Sequence, residues 1–263
     1  MADALTVPTV GDGGDREADR IDGVPHPELA RLLDVPRLAL FARVGSTLDV
    51  AHRLAGEGAP AGTLVVADEQ TSGRGRAGRR WASAPGAGLW LTLVERPSDV
   101  AALAVLSLRI GLRAASVLDR WAEEPVRLKW PNDIFVGTRK VAGILVEARW
   151  RERRLDWVAI GVGANVVAPA DVPAAGGLRA GTSRVELLAE LLPAMRAAAA
   201  ARGPLAVHEM DAFAARDLAR GRRCLAPSVG VVRGIGADGA LVVEADGATI
   251  RHRAGSLVLA EDA

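Results

Sequence analysis

Tyrosine is absent from this sequence, cysteine occurs once and lysine only twice. A single cysteine, Cys224, excludes an internal disulfide framework and agrees with a reducing compartment. The four histidines, His26, His52, His208 and His252, are scattered without ligand-like spacing, so they build no zinc site with that one thiol. No serine stands in a G-x-S-x-G elbow. Residues 1–20 carry acids and glycines but no basic segment followed by an apolar core, so they do not read as a signal peptide. The most apolar stretch, 100–121, is interrupted by Arg109, Arg113 and Arg120, which argues against a bilayer span. A net charge of +1 gives no overall bias towards nucleic acid or anionic membrane. The expectation is a cytoplasmic protein, and 263 residues suffice for one large α/β domain with a small appendage.

The scarcity of lysine is informative. Arginine supplies 31 of the 33 basic residues. A chain that uses arginine wherever either cation serves keeps lysine where a compact, strongly hydrated ammonium is required. Both lysines, Lys129 and Lys140, fall in one short segment.

Periodicity and turn chemistry divide the chain. Residues 1–35 are rich in Gly, Asp and Pro and read as a flexible tail with one short helix near His26–Leu33. Strands are expected at 38–44, 63–67, 89–94, 126–130, 134–136, 141–148 and 156–166, with helices after Ser46-Thr47 and over 99–121. Ser183-Arg-Val-Glu186 is a capping box that opens a helix to about 201, and Pro204 starts another that ends near 221. From 221 to 260 short β segments are punctuated by Asp238-Gly239 and Asp246-Gly247 turns. The organisation is a mixed-sheet α/β domain over 36–218 and a small β-barrel over 219–263.

Four segments carry chemistry. The loop Gly73-Arg-Gly-Arg-Ala-Gly-Arg-Arg-Trp81 mixes glycines, which let backbone approach a ligand, with guanidinium groups that bind phosphate oxygens in pairs. It matches G-x-G-x-x-G, yet the Trp-Ala-Ser-Ala-Pro that follows cannot open a Rossmann helix. An exposed arginine loop without a ligand is the plain alternative. Lys129-Trp-Pro-Asn-Asp133, with Lys140 seven residues on, sets an ammonium near a carboxylate at a turn; a surface ion pair is the plain alternative. Ser46-Thr47 reads either as a helix N-cap or as two hydroxyls for a polar ligand. Gly161-Val-Gly-Ala-Asn165 ends a strand with small residues and one amide, suited to a turn or to the edge of a nucleoside pocket.

In this order and spacing the segments resemble the biotin protein ligase family, through Ser46-Thr47, Glu69-Gln70, Gly73–Trp81, Lys129-Trp-Pro-Asn-Asp133, Arg139-Lys-Val-Ala-Gly-Ile-Leu-Val-Glu147 and Gly161–Asn165. The resemblance implies a mixed-sheet catalytic domain of the biotin/lipoate ligase type followed by an SH3-like barrel. It implies ATP-dependent activation of biotin as biotinyl-AMP, then transfer to a lysine of a biotin carboxyl carrier domain. Ser46, Thr47, Gln70, Gly73, Arg74, Gly75, Arg76, Lys140, Gly143 and Leu145 would bind biotin. Arg74, Arg76, Arg79, Trp81, Lys129, Asn132 and Asn165 would bind the nucleotide, with Trp81 against adenine. Lys140, Arg76 and Asp133 would be catalytic, Asp133 by taking the acceptor amine's proton or by helping to hold magnesium that arrives with ATP rather than in a protein cage. Leu48 departs from the family, which often has Asn there. The 35 residues ahead of the domain are too few for the winged helix-turn-helix of the repressor members, so no DNA and no membrane is expected as partner, and the chain would be a monomer or weak homodimer. A lipoate or octanoate ligase or transferase of the same fold is the nearest alternative; a repressor without catalysis and an inactive binding module are two others.

Overall fold

The computed structural model of the chain describes residues 14–260. In chain order the elements are β1 (Arg16–Glu17), β2 (Arg20–Ile21), β3 (Val24–Pro25), α1 (His26–Leu33), β4 (Leu38–Arg43), α2 (Thr47–Gly56), β5 (Leu64–Ala67), β6 (Gly88–Glu95) and α3 (Leu106–Leu118). There follow β7 (Val126–Lys129), β8 (Asp133–Val136), β9 (Arg139–Arg151), β10 (Arg154–Asn165), α4 (Arg184–Ala200) and α5 (Val207–Arg216). The chain ends in β11 (Arg223–Ala226), β12 (Gly230–Ile235), β13 (Leu241–Ala245), β14 (Ala248–His252) and β15 (Val258–Leu259).

An eight-stranded sheet, in the order β1-β4-β5-β6-β10-β9-β8-β7, forms the frame. Only β4 and β5 run parallel, joined through α2. Strand alternation gives the sheet two different faces. Leu64, Val66, Leu91, Leu93, Ile144, Ile160 and Val162 point to one face and are buried with α1, α3 and α4. Val65, Ala67, Val94 and Ala159 point to the other, where α2 covers them with Leu48, Ala51, Leu54 and Ala55. That stripe at helical spacing is why residues 47–56 fold as a helix, and burying each of its leucines contributes on the order of 2 kcal/mol. Beyond α2 no helix among the described residues covers this second face, and the candidate site lies there.

The C-terminal segment forms a five-stranded antiparallel sheet in the order β14-β13-β12-β11-β15. Asp246 and Gly247 both have positive φ, 50° and 76°, as the two-residue hairpin turn between β13 and β14 requires. Its apolar residues, among them Val232, Leu241, Val243 and Leu259, join the core of the larger sheet. The Trp130 indole N–H donates to the Gly239 carbonyl at 3.0 Å, tying the turn before β8 to this region.

Two sequence expectations need correction. The stretch read as a tail is folded from Arg16 onwards: β1 pairs with β4, and Ile21, Leu29 and Leu33 are buried. The contact of the buried Arg184 with the exposed Asp22, completed by Arg184 to Asp68 at 2.6 Å, pins it. Residues 1–13 lie outside the described residues. The helix expected over 99–121 is a 3₁₀ turn at Ala101–Val105, then α3, then a 3₁₀ turn at Asp119–Trp121. Residues 101–121 are long and apolar enough to cross a membrane, but Leu106, Ile110 and Leu118 are core residues, and Arg109 makes a bidentate ion pair with Glu209 of α5 at 2.7 and 2.9 Å.

Candidate active site

Glycine makes the floor of the site. Gly143 of β9 stands opposite Gly163 of β10, and Leu145 opposite Gly161. With no side chains at three of these four positions, a cleft of about 220 Å³ remains between the sheet and the loop that follows β5. Trp81 lies over that floor: a Cβ at Gly163 would stand 2.4 Å from its Nε1, and one at Gly143 3.1 Å from its Cζ3. The side chain of Leu48, at 3.2 Å from a Cβ at Gly161, closes the end beneath α2. An apolar residue at position 48 therefore packs on the glycine strand.

The loop over the cleft is a small hairpin. Ala77 and Gly78 adopt left-handed backbone, φ 54° and 72°, so the chain reverses and Gly75 N–H reaches the Arg79 carbonyl at 2.7 Å. For alanine that conformation costs about 1–2 kcal/mol. Gly73 is required by proximity, since a Cβ there would meet the Trp81 carbonyl at 2.5 Å.

A polar network lines the end nearest α2. Thr47 donates both its backbone N–H and its hydroxyl to Gln70 Oε1, at 2.9 and 3.1 Å. Thr92 Oγ1 lies 2.9 Å from Thr47 Oγ1, and Gln70 Nε2 donates to Ser83 Oγ at 2.9 Å. Ser46 stands at the N-cap of α2 with its side chain making no capping bond, and its buried hydroxyl has no protein partner. The capping alternative for this serine is set aside. Its oxygen is a desolvated polar group left for a ligand to satisfy.

Cations gather at the other end. Lys140 Nζ lies 2.6 Å from Asp133 Oδ1 and 5.2 Å from the centre of the Trp81 ring. The Lys140–Asp133 contact is an ion pair by distance, without the alignment of a hydrogen bond, since Asp133 Oδ1 has no hydrogen-bonded partner. Backbone bonds from Lys140 N–H to Ala174 and from Gly176 N–H to Lys140 hold the lysine's strand against 174–176. Burial pushes the Arg76 guanidinium below its usual range, while Asp133 pulls it up. Arg79 also lines the cleft.

Several expected residues sit differently from the sequence reading. Arg74 lines the cleft but pairs with Asp49 at 2.9 Å and Glu147 at 3.4 Å, because these carboxylates project from α2 and β9 on either side of it. Lys129 lies away from the cleft, its ammonium over the Phe135 ring at 5.7 Å, because it sits on edge strand β7. Asn132 and Asn165 both line the cleft, yet each also pins backbone: Asn132 Nδ2 donates to Ile144 O, Asn165 Nδ2 to Gly176 O. Thr47, Gln70, Gly75, Arg76, Trp81, Lys140, Gly143 and Leu145 do converge on one cleft. Sequence reasoning missed Thr92 and Ser83, two lone hydroxyls in apolar or small-residue runs. It also missed His52, which accepts the Trp157 indole N–H on Nδ1 and so donates from Nε2 to Glu147 at 2.8 Å. Burial lowers the pKa of His52, which keeps it in that neutral form.

Residues 40–165 match the biotin/lipoate A/B protein ligase family. The bifunctional ligase/repressor BirA of Bacillus spizizenii is 42% identical over 130 residues, 47% of this chain and 38% of that protein. The biotin–[acetyl-CoA-carboxylase] ligase of Mycobacterium tuberculosis is 39% identical over 143 residues, 52% of each chain. This chain thus spans about two fifths to one half of those relatives. The structure of biotin protein ligase from Aquifex aeolicus in complex with biotin and ATP superposes with a TM-score of 0.69 at 25% identity, over 85% of this chain and 98% of that one. The glycine floor and the loop over it fall inside residues 40–165, the segment in which this chain is similar to the biotin/lipoate A/B protein ligase family.

Proposed function

We propose that this protein is a biotin–[biotin carboxyl-carrier protein] ligase, which activates biotin with ATP as biotinyl-5′-AMP and transfers it to a lysine of the carrier domain. One observation carries the reading: a single cleft has neutral hydroxyl and amide groups at one end and Lys140 with Arg76 at the other, over a floor built on Gly143, Gly161 and Gly163. A substrate with a polar, uncharged head and a carboxylate tail fits that polarity. In the first step a biotin carboxylate oxygen attacks the α-phosphorus of ATP and pyrophosphate leaves. Charge on the phosphoryl oxygens grows in the transition state, and Lys140 and Arg76 offset it in a site sheltered from water. Arg74 exchanges its carboxylate partners for the ligand's anionic groups as the loop closes.

In the second step the carrier's lysine amine attacks the acyl carbon, AMP leaves, and Asp133 takes the amine's proton. Among the described residues there is no cluster of three His, Cys, Asp or Glu side chains, so no protein cage for a metal. Magnesium would arrive with ATP and neutralise phosphate charge in the first step; the Asp133 carboxylate would be the oxygen donor to it if it is not the base of the second step. Residues 36–218 would perform the chemistry in the cytoplasm, with 219–263 as an SH3-like appendage. Incubation with biotin, MgATP and an isolated carrier domain, followed by mass spectrometry, should show one biotinyl group added per carrier. A carrier of unchanged mass, or one modified only when lipoate replaces biotin, overturns the proposal.

A further inference from the structure

The direction of every hydrogen bond in the Thr92–Thr47–Gln70–Ser83 chain can be derived. The Thr47 backbone N–H can only donate, so the Gln70 atom it meets at 2.9 Å must be the amide oxygen. The Thr47 hydroxyl, 3.1 Å from that same oxygen, must then spend its one proton there. Its contact with Thr92, at 2.9 Å, can be made only if Thr92 donates. With the oxygen fixed on this side, the Gln70 amide nitrogen faces Ser83 at 2.9 Å and donates to it. Ser83 Oγ lies 3.3 Å from the Trp81 carbonyl, which can only accept, so its own proton goes there. Thr92 is fully buried, and its hydroxyl has no other hydrogen-bond partner among the described residues.

Thr47 is left with one lone pair for a ligand and no proton. We propose that Thr92 and Ser83 are positioning residues that make the head-group end of the cleft accept from its substrate through Thr47, selecting a head that carries an N–H. This rests on the biotin reading and deepens it. The cyclic urea of biotin offers N–H donors, whereas a dithiolane ring or a plain acyl chain offers none. The neighbouring Ser46 hydroxyl, 2% exposed and without a protein partner, remains free to donate or accept and so serves the carbonyl of the same head. Gln70 commits the Thr47 proton, Thr92 takes one Thr47 lone pair and Ser83 holds Gln70, so two hydroxyls that need not touch the substrate fix the direction of the lone pair left for it. Discrimination follows because an analogue lacking the donor would leave a buried lone pair unsatisfied.

The test compares Thr92→Val, of nearly the same shape but without the proton, with Thr92→Ser, which restores it. Biotin binding by calorimetry and the KM and kcat of biotin-dependent pyrophosphate exchange are the readouts. Loss of one neutral hydrogen bond predicts a rise of about tenfold in Kd and KM for Thr92→Val, little change in kcat, and recovery in Thr92→Ser. The parent's preference for biotin over a cyclic carbamate analogue, with ring oxygen in place of one N–H, should shrink in Thr92→Val. Ser83→Ala is the second variant; it frees the Gln70 amide at the opposite end and should raise the biotin Kd in the same way. It decides the matter if Thr92→Val does not fold. An unchanged biotin Kd in the folded variants, or an unchanged preference between the two analogues, overturns the inference. Failure of the parent itself to bind biotin would instead refute the functional reading.

Discussion

The indole of Trp81 rests directly on Gly163: no heavy atom other than those of the Trp81 ring comes nearest to a Cβ placed there, at 2.4, 2.6 and 3.1 Å. The glycine is thus kept for the tryptophan and not for the backbone, since Gly163 lies in an ordinary ladder position opposite Gly143 and Trp90. Gly163→Ala should fold, because the three atoms nearest the methyl group all belong to the Trp81 side chain, which can swing away. It should displace Trp81 from the floor, shift tryptophan emission to longer wavelength and weaken ATP binding by on the order of tenfold, the loss of one well-placed aromatic contact. Unchanged emission together with unchanged nucleotide affinity would show that Trp81 does not depend on this seat.

Arg76 is expected to matter more for holding the adenylate than for making it. Its guanidinium is half-buried at the rim of the cleft, near Asp133. Arg76→Gly removes the clamp but leaves Lys140, so the reactive anhydride should form and escape, labelling lysines of a bystander protein. Biotin on bystander albumin, measured by blot, should rise while carrier biotinylation persists. Bystander labelling at the parental level with normal carrier biotinylation would reduce Arg76 to a surface charge.

The parts of this architecture that sequence made legible are those written in local pattern. Strands β4 to β10, helix α2 and the Asp246-Gly247 turn follow from alternation, helical spacing and turn residues. The Ser183 cap is one such signal, its hydroxyl accepting from the Glu186 N–H at 3.3 Å. What escaped was encoded at long range. Residues 16–25 lack a periodic apolar face, and they are held by Asp22 meeting Arg184 across 162 positions. Arg74 reads as a phosphate ligand until Asp49 and Glu147 are seen on either side of it. Thr92 sits in the run Leu-Trp-Leu-Thr-Leu-Val, where one hydroxyl gives no sign that it faces Thr47. Lys129 illustrates the converse: rarity marked both lysines, but only Lys140 lies on the strand beside the glycine floor.

The Arg109–Glu209 pair fixes the acid limb of stability. Arg109 is 2% exposed, and its hydrogen bond holds the Glu209 carboxyl below the ordinary value of 4.5. A folded pKa lower than the unfolded one gives stability that is complete above about 4.5 and is lost as pH falls through the folded value. Glu209→Gln should cost about 3 kcal/mol at pH 7, because it leaves a buried guanidinium without its counter-charge. The difference between parent and variant in urea denaturation should narrow as pH falls below about 4.5. A gap that stays constant down to pH 3 would assign the loss to packing and not to the charge pair.

Lys140 is the residue on which the proposed chemistry turns, and the choice between Lys and Arg isolates its role. If the 2.6 Å contact with Asp133 were only a surface ion pair, Lys140→Arg would keep it, and stability would change by roughly half a kcal/mol or less. A lysine placed between a carboxylate and an α-phosphate tolerates the change badly. The guanidinium is wider, planar and directional, and it would have to be placed beside Asp133, 2.6 Å from the ammonium, and the Trp81 ring, 5.2 Å from it. It must either push the reacting groups apart or miss one of them, and a misplacement of about an ångström lowers a rate on the order of a hundredfold. The expected variant melts near the parental temperature and loses about that factor in biotin-dependent pyrophosphate exchange, with the loss in kcat. Arg139→Lys is the control: its exposed side chain precedes Lys140 on β9 and lies outside the cleft, so exchange should stay at the parental rate. Exchange by Lys140→Arg as fast as that of the parent would remove Lys140 from the catalytic set and leave the scarcity of lysine without a functional meaning at this site.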